Sequence, residues 1–212
     1  MTSVCPLITG GCNSASKVSQ HSVGCETGPM SDASVRTART ADVAAVGEVQ
    51  AAVWREAYAD VLAPEIIAAF EPHAFAAAWE QSLRTPPSSW HRLMVATEVN
   101  QVVGFAAFAP TDESGVAEIL AMGVHPEHQR LGHGSRLLNA TVDTLRVGDF
   151  TQVELWLLVS DELSRAFLEK AGLHPDGAWR DRVIDEHGGT AREVRLQAQI
   201  SDPQEPDAVQ PL

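Results

Sequence analysis

Tyrosine occurs once in the 212 residues, at position 58, and cysteine three times, all within the first 25 residues. The remainder of the chain therefore cannot form a disulfide. Three thiols in a Ser/Gly/Asn-rich leader cannot all pair within one chain, and the leader lacks the basic start and apolar stretch of a secretory signal. That pattern predicts a reducing cytoplasm. A zinc reading of Cys5, Cys12, His21 and Cys25 fails because no spacing is CxxC-like, so no metal is expected. Long apolar runs are also missing: none approaches the ~18 residues of a membrane span, and no membrane role is expected. Basic residues are scarce, 15 against 28 acidic ones, giving a formal charge of −13. Such a charge disfavours nucleic acid or an anionic bilayer and leaves a cationic or amine-bearing partner easier to accommodate. Neither HExxH nor a Ser/His/Asp arrangement is visible, against a zinc protease or serine hydrolase.

With 44% hydrophobic and 20% charged residues, the composition is that of a chain that buries a core, and its length suits one domain. Residues 1–34 lack periodic apolar positions, and 201–212 (SDPQEPDAVQPL) combine acids with prolines. Both ends are expected to be unstructured, with a domain over 35–200 and Met30 an alternative start to Met1. Thr40 is placed to cap a helix carrying Val43, Val46, Val49 and Val53; Pro64 opens a second with Ile66, Ile67 and Phe70; a third carries Phe75 and Trp79. Leu93 to Val99 alternates as a strand, Asn100-Gln101 reads as a hairpin turn, and Val102–Phe108 returns. A strand over Val116–Val124, a loop over His125–His133 and a helix from Gly134 follow. Val153–Val159 is a buried strand, Asp161–Ala171 a helix ended by Gly172, and Val183–Ile200 two strands around His187-Gly188-Gly189. The order predicts an α+β domain: a mixed sheet of about six or seven strands, one βαβ crossover, and helices on both faces.

The most informative stretch joins the third of these strands to its helix: Val124-His125-Pro126-Glu127-His128-Gln129-Arg130-Leu131-Gly132-His133-Gly134-Ser135. Glycines between a strand and a helix let successive N–H groups point into one concavity, where the helix N-terminus adds positive potential. Such a cradle suits a phosphate. It lacks the Lys-Ser/Thr of a Walker loop and the third glycine of a dinucleotide fingerprint, and an ordinary glycine-rich turn is the plain alternative.

The run Gln129-Arg130-Leu131-Gly132-His133-Gly134 resembles the Gln/Arg-x-x-Gly-x-Gly/Ala signature of the GNAT superfamily of acetyl-CoA-dependent N-acetyltransferases. Trp54-Arg55-Glu56-Ala57-Tyr58 and Arg165 to Leu173 resemble that family's early helix and its helix-to-glycine ending. The resemblance spans about residues 36–198 and implies a single GNAT-fold domain using acetyl-CoA as co-substrate. It implies that backbone N–H groups of Gln129, Arg130, Leu131, Gly132, His133, Gly134 and Ser135 hold the diphosphate, and that Met122, Gly123 and Val124 hold the pantetheine arm. Arg130 has a second reading as a solvated loop charge.

Acetyl transfer to an amine needs a base for the nucleophile and a proton for the departing thiolate. Glu118, on an otherwise apolar strand, is the candidate base, since some family members carry theirs there; the alternative is a strand-edge carboxylate facing solvent or an ion partner. The tyrosine acid implied by the resemblance falls on Leu168, and the usual asparagine on Asp161, with Ser164 nearby. Tyr58 is the only tyrosine left for catalysis, though its i to i+4 spacing from Trp54 favours packing. His125 and His133 flank the loop and are expected to be solvated. The expected function is acetyl transfer from acetyl-CoA to a primary amine, on a small molecule or a protein lysine; the alternative is an acyl-CoA-binding regulatory module with weak or no turnover. Oligomeric state stays open, a dimer included.

Overall fold

The computed structural model describes residues 33–184 and 189–201. The three cysteines, Met1, Met30, the turn residues His187 and Gly188, and the acidic tail from 202 lie outside the described residues. A seven-stranded sheet carries β1 (Ala33–Thr37), β2 (Arg92–Glu98), β3 (Gln101–Pro110), β4 (Val116–Val124), β5 (Gln152–Leu158), β6 (His174–Val183) and β7 (Thr190–Gln199), in spatial order β1-β2-β3-β4-β5-β7-β6. Only β4 and β5 run parallel; every other neighbour is antiparallel. The single crossover between β4 and β5 is α4 (His133–Val147). Two antiparallel groups flanking one βαβ unit make the α+β mixed sheet that the sequence predicts.

Helices cover both faces. On one side α1 (Val43–Ala57), α2 (Pro64–Ala68) and α3 (Pro72–Arg84) lie over β2 to β4, burying Val46, Val49, Val53 and Trp54 against Leu93, Val95, Phe105 and Ala121. A methyl group added at Gly47 would collide with the Pro72 carbonyl, so glycine is what lets α1 and α3 approach. The Trp79 indole N–H donates to Gln50 Oε1 at 2.6 Å across that contact. On the other side α4 and α5 (Glu162–Lys170) bury Leu137, Leu138, Leu145 and Leu168 on Phe108, Ile119, Val153, Leu155 and Leu157. Alternation along β5 sends Val153, Leu155 and Leu157 to this core and Glu154 and Trp156 to the opposite face.

Several expectations shift. Ala33 and Ser34, assigned to the leader from sequence, belong to β1, which pairs along β2, with Ser34 Oγ 2.9 Å from Thr97 Oγ1. Thr40 does not cap α1: a 3-10 turn over Thr40–Asp42 precedes it, and the Asp42 carboxylate accepts from the Arg39 N–H at 2.7 Å and from Arg36. The β2–β3 hairpin turns at Val99-Asn100, one residue earlier than expected, with φ of 47° and 68°. The final hairpin uses His174–Val183 as its first strand, upstream of the segment expected from sequence. Pro64 does open α2, and Gly172, at φ 97°, follows the end of α5.

Candidate active site

β4 and β5 pair over three positions only, Val116 to Glu118 against Gln152 to Glu154. Beyond Glu118 the strands part. On its other side β4 stays paired with β3 as far as Val124, but the register slips: Ala107 pairs with Ala121 and Phe108 with Ile119, leaving Leu120 as a bulge. A bulge bends its strand, and this one lies where the sheet divides. The main-chain groups of Ile119 to Val124 that face the gap have no strand opposite them, so an extended ligand can take that place. Met122, Gly123 and Val124 border the gap, with their residues buried.

At the end of β4 the chain makes a 3-10 turn over Pro126–His128, capped by His125, which accepts the Glu127 N–H on Nδ1 at 3.3 Å. Arg130 and Gly132 adopt φ of 64° and 84°. Gly132 is the N-cap of α4, and the first helical hydrogen bond runs from Arg136 N to Gly132 O. The N–H groups of His133, Gly134 and Ser135 thus have no intrahelical acceptor and form the positive end of a 15-residue helix. A cleft of about 800 Å³ opens in front of them, lined by the loop from His128 to Ser135 and, across it, by Leu163, Ala166, Phe167 and Lys170 of α5. Arg130, Gly132 and Ser135 are exposed there and Gln129 is half-buried, while Leu131 is exposed but does not line the cleft.

His133 differs from expectation. As the first residue of α4 it is 2% exposed instead of solvated. Burial lowers its pKa; Glu98 opposes that shift, and Arg136 and His128 add to it.

Glu118 is half-buried on the α1 side of the sheet, level with Glu154 of β5. Its carboxyl accepts no hydrogen bond from any described residue. Burial raises its pKa; Arg180 and Arg182 pull it back, and Glu154 and Glu193 push it further up. The floor beside it is a charge network. Arg195 bridges Asp176 at 2.6 Å and Glu154 at 3.1 Å; the fully buried Glu193 takes Arg180 at 2.6 Å and Arg182 at 2.8 Å; Arg180 stacks 4.3 Å over the Trp156 ring. Nothing in the local sequence pattern announces this network, since its partners meet only through the register of β5, β7 and β6.

Tyr58 lies in the aromatic cluster at the end of α1. Its ring lies 6.4 Å from Trp54 and 6.1 Å from Phe70, edge to face, and is 1% exposed. Leu168 is fully buried in the core beneath α5. Asp161 caps α5 by accepting the Ser164 N–H at 3.0 Å, while its other oxygen is buried without a partner. Burial lifts this carboxyl to about 6, against hydrogen bonds from Ser164 and with a further push from Glu56.

A mixed sheet that divides beside a glycine-fronted helix N-terminus is the architecture of coenzyme A-dependent acyl transfer. The chain belongs to the GNAT acetyltransferase family, whose model, "Acetyltransferase (GNAT) family", matches residues 53–173. Among solved structures it resembles the PaiA N-acetyltransferase of Thermoplasma acidophilum in complex with coenzyme A, with a TM-score of 0.63 at 16% identity over 79% of this chain and 99% of that one. YncA of Salmonella typhimurium, with its cofactor acetyl-CoA, gives 0.60 at 22% identity over 84% and 99%. The ribosomal-protein-S18-alanine N-acetyltransferase of Escherichia coli gives 0.59 at 18% over 82% and 97%. No curated protein matches the sequence closely enough to count as a relative. The protein is an acetyltransferase that uses acetyl-CoA as co-substrate. No helix among the described residues is long and apolar enough to cross a membrane.

Proposed function

We propose that the protein transfers the acetyl group of acetyl-CoA to a primary amine, carried by a small molecule or a protein lysine, by direct attack with Glu118 as the general base. The observation that carries this reading is Glu118 itself: a half-buried carboxylate without a hydrogen-bond partner among the described residues, at the last rung before β4 and β5 part. In this reading the diphosphate rests on the N–H groups of Gln129 to Ser135 and the pantetheine arm runs along Met122, Gly123 and Val124. The thioester then reaches the gap beside Glu118. The amine attacks the carbonyl carbon, its proton passes to Glu118 directly or through water, and the tetrahedral adduct expels the thiolate, which is protonated to CoA-SH. A carboxylate without a direct ion-pair partner among the described residues also favours a cationic amine as the group that enters. The odd number of cysteines outside the domain supports a cytoplasmic setting.

Leu168 favours a second reading. A leucine buried where the family resemblance implies a phenol gives the thiolate no donor at that position, as in a module that binds acyl-CoA without efficient turnover. Thiol release from acetyl-CoA, screened against small amines and lysine peptides, decides between them: release with any amine supports the transferase, and tight acetyl-CoA binding without release from the whole panel supports the module.

A further inference from the structure

One carboxylate oxygen serves both halves of the phosphate-facing loop. Glu98 ends β2, and its Oε2 lies 2.9 Å from His128 Nδ1, before the glycines, and 3.7 Å from His133 Nε2, after Gly132. The first contact is a hydrogen bond and the second is too long for one. Both ring nitrogens of His133 are buried without a hydrogen-bond partner among the described residues, a costly arrangement unless another state of the site compensates it. The three side chains form no group that could hold a metal ion. Both imidazoles border the cleft that faces the α4 N-terminus.

We propose that Glu98 is a positioning residue for the coenzyme loop and that His133, held between Glu98 and the first turn of α4, takes up a proton when the diphosphate of an acyl-CoA seats on the α4 N-terminus. The inference rests on the acetyl-CoA reading of the cleft. In the free protein His133 is held neutral by its burial, by the positive end of α4 and by the cations near it. The groups facing it are Glu98 from β2, His128 and Arg130 from the loop, Arg136 from α4 and, across the cleft, Lys170 from α5. A diphosphate brings two negative charges to that helix end and reverses the balance. The imidazolium then becomes the favoured form, donating to Glu98 on one side and attracting the diphosphate from below. In a chain of net charge −13, this supplies a countercharge for a polyanion only while the polyanion is bound.

Linkage sets the sign: a group whose pKa rises on binding takes up a proton, and affinity falls as pH rises through the free and bound values. The test is calorimetry of the full chain with acetyl-CoA and with dephospho-CoA, between pH 6 and 8.5, in two buffers of different ionisation heat. Dephospho-CoA keeps the diphosphate but lacks the phosphomonoester, which itself titrates near pH 6. We expect uptake of roughly half a proton near neutrality and a fall in dephospho-CoA affinity of about threefold to tenfold from pH 6 to 8. Glu98→Gln and His133→Asn should each remove most of the uptake and flatten the pH dependence. A second readout needs no variant: the His133 ring resonances should titrate at higher pH with dephospho-CoA bound. Binding of dephospho-CoA with no proton exchange, uptake unchanged in both variants, or a His133 titration unmoved by ligand would each overturn the proposal. Failure of both ligands to bind at any pH would instead overturn the acetyl-CoA reading beneath it.

Discussion

Glu118 and Glu154 sit opposite each other on the last parallel rung between β4 and β5, yet among the described residues only Glu154 has an ion-pair partner, Arg195 at 3.1 Å. The pair is therefore unequal. Burial raises both carboxyls, and Arg195 offsets much of that at Glu154, while Arg180 and Arg182 act on Glu118 after being engaged by Glu193. The carboxylate left over faces the gap where the sheet divides.

Glu118→Gln keeps the shape of that side chain and removes its basicity. We expect the acetylation rate at neutral pH to fall by ~10²-fold or more with acetyl-CoA affinity nearly unchanged. In the wild type the rate should climb with pH through a value above the ordinary glutamate range, because burial raises this pKa and the base acts ionised. Rate profiles of both proteins check this. A variant with the full rate and the same acidic limb would move the base elsewhere.

Gly134 is the second residue of α4 and lines the cleft. A valine there puts two methyl groups where a phosphate would approach the helix N–H groups. Acetyl-CoA affinity should weaken by about tenfold or more, roughly 1.4 kcal/mol or above. Calorimetric titration reads this directly, and an unchanged affinity would remove the loop from the binding site.

Leu168→Tyr would restore the phenol that the family resemblance implies, but Leu168 is fully buried among core side chains. Overpacking should cost about 1–3 kcal/mol of stability. Chemical denaturation should show that loss. A variant as stable as the wild type and faster in thiol release would mean that the ring has found room at the cleft.

Asp161 carries a carboxyl lifted to about 6 by burial, above its ordinary 3.8. The unfolded chain ionises first, so this group lowers stability as pH rises from about 4 to 6, and the deficit persists above. Asp161→Asn keeps the cap on Ser164 and drops the charge. It should stabilise the fold at pH 7 by about 1–2 kcal/mol, with the gain fading toward pH 4. Denaturation midpoints across that range decide it, and a gain independent of pH would contradict the assignment.

Val99 holds φ 47° at the exposed tip of the β2–β3 hairpin, a conformation that a β-branched residue adopts only under strain. Val99→Gly should raise stability by about 0.5–1 kcal/mol, since the relief of strain outweighs the added chain entropy. A lower thermal midpoint would show that the turn is not strained.

The phosphate-facing loop was legible because its signal is local: strand, two glycines and helix within twelve residues. Strands β2 to β5 were legible because alternation or continuous apolar character marks each one. β1 was not, since ASVRT offers one large apolar residue and takes its place by pairing with β2. The first strand of the last hairpin hid for the opposite reason. HPDGAWRDRV interleaves Arg and Asp with Trp179 and Val183, and its charged members find partners on β7. Glu98 gave no signal at all, because its two histidines lie about thirty residues downstream and meet it only in the folded chain.

Among the described residues, three rungs of parallel ladder, extended by the Thr151 and Gln152 N–H groups donating to the Gly115 carbonyl, make the main-chain seam between the β1–β4 half of the sheet and the β5–β7–β6 half. An open seam of this kind makes the coenzyme a mechanical part of the molecule as well as a reactant. A pantetheine arm lying along Ile119 to Val124 would suture the two halves where the ladder stops, and the diphosphate would knot the thread at α4. Resistance to unfolding would then follow coenzyme supply, by about 2.7 kcal/mol at a hundred times the dissociation constant. In a cell short of acyl-CoA the same chain would be the looser, shorter-lived version of itself.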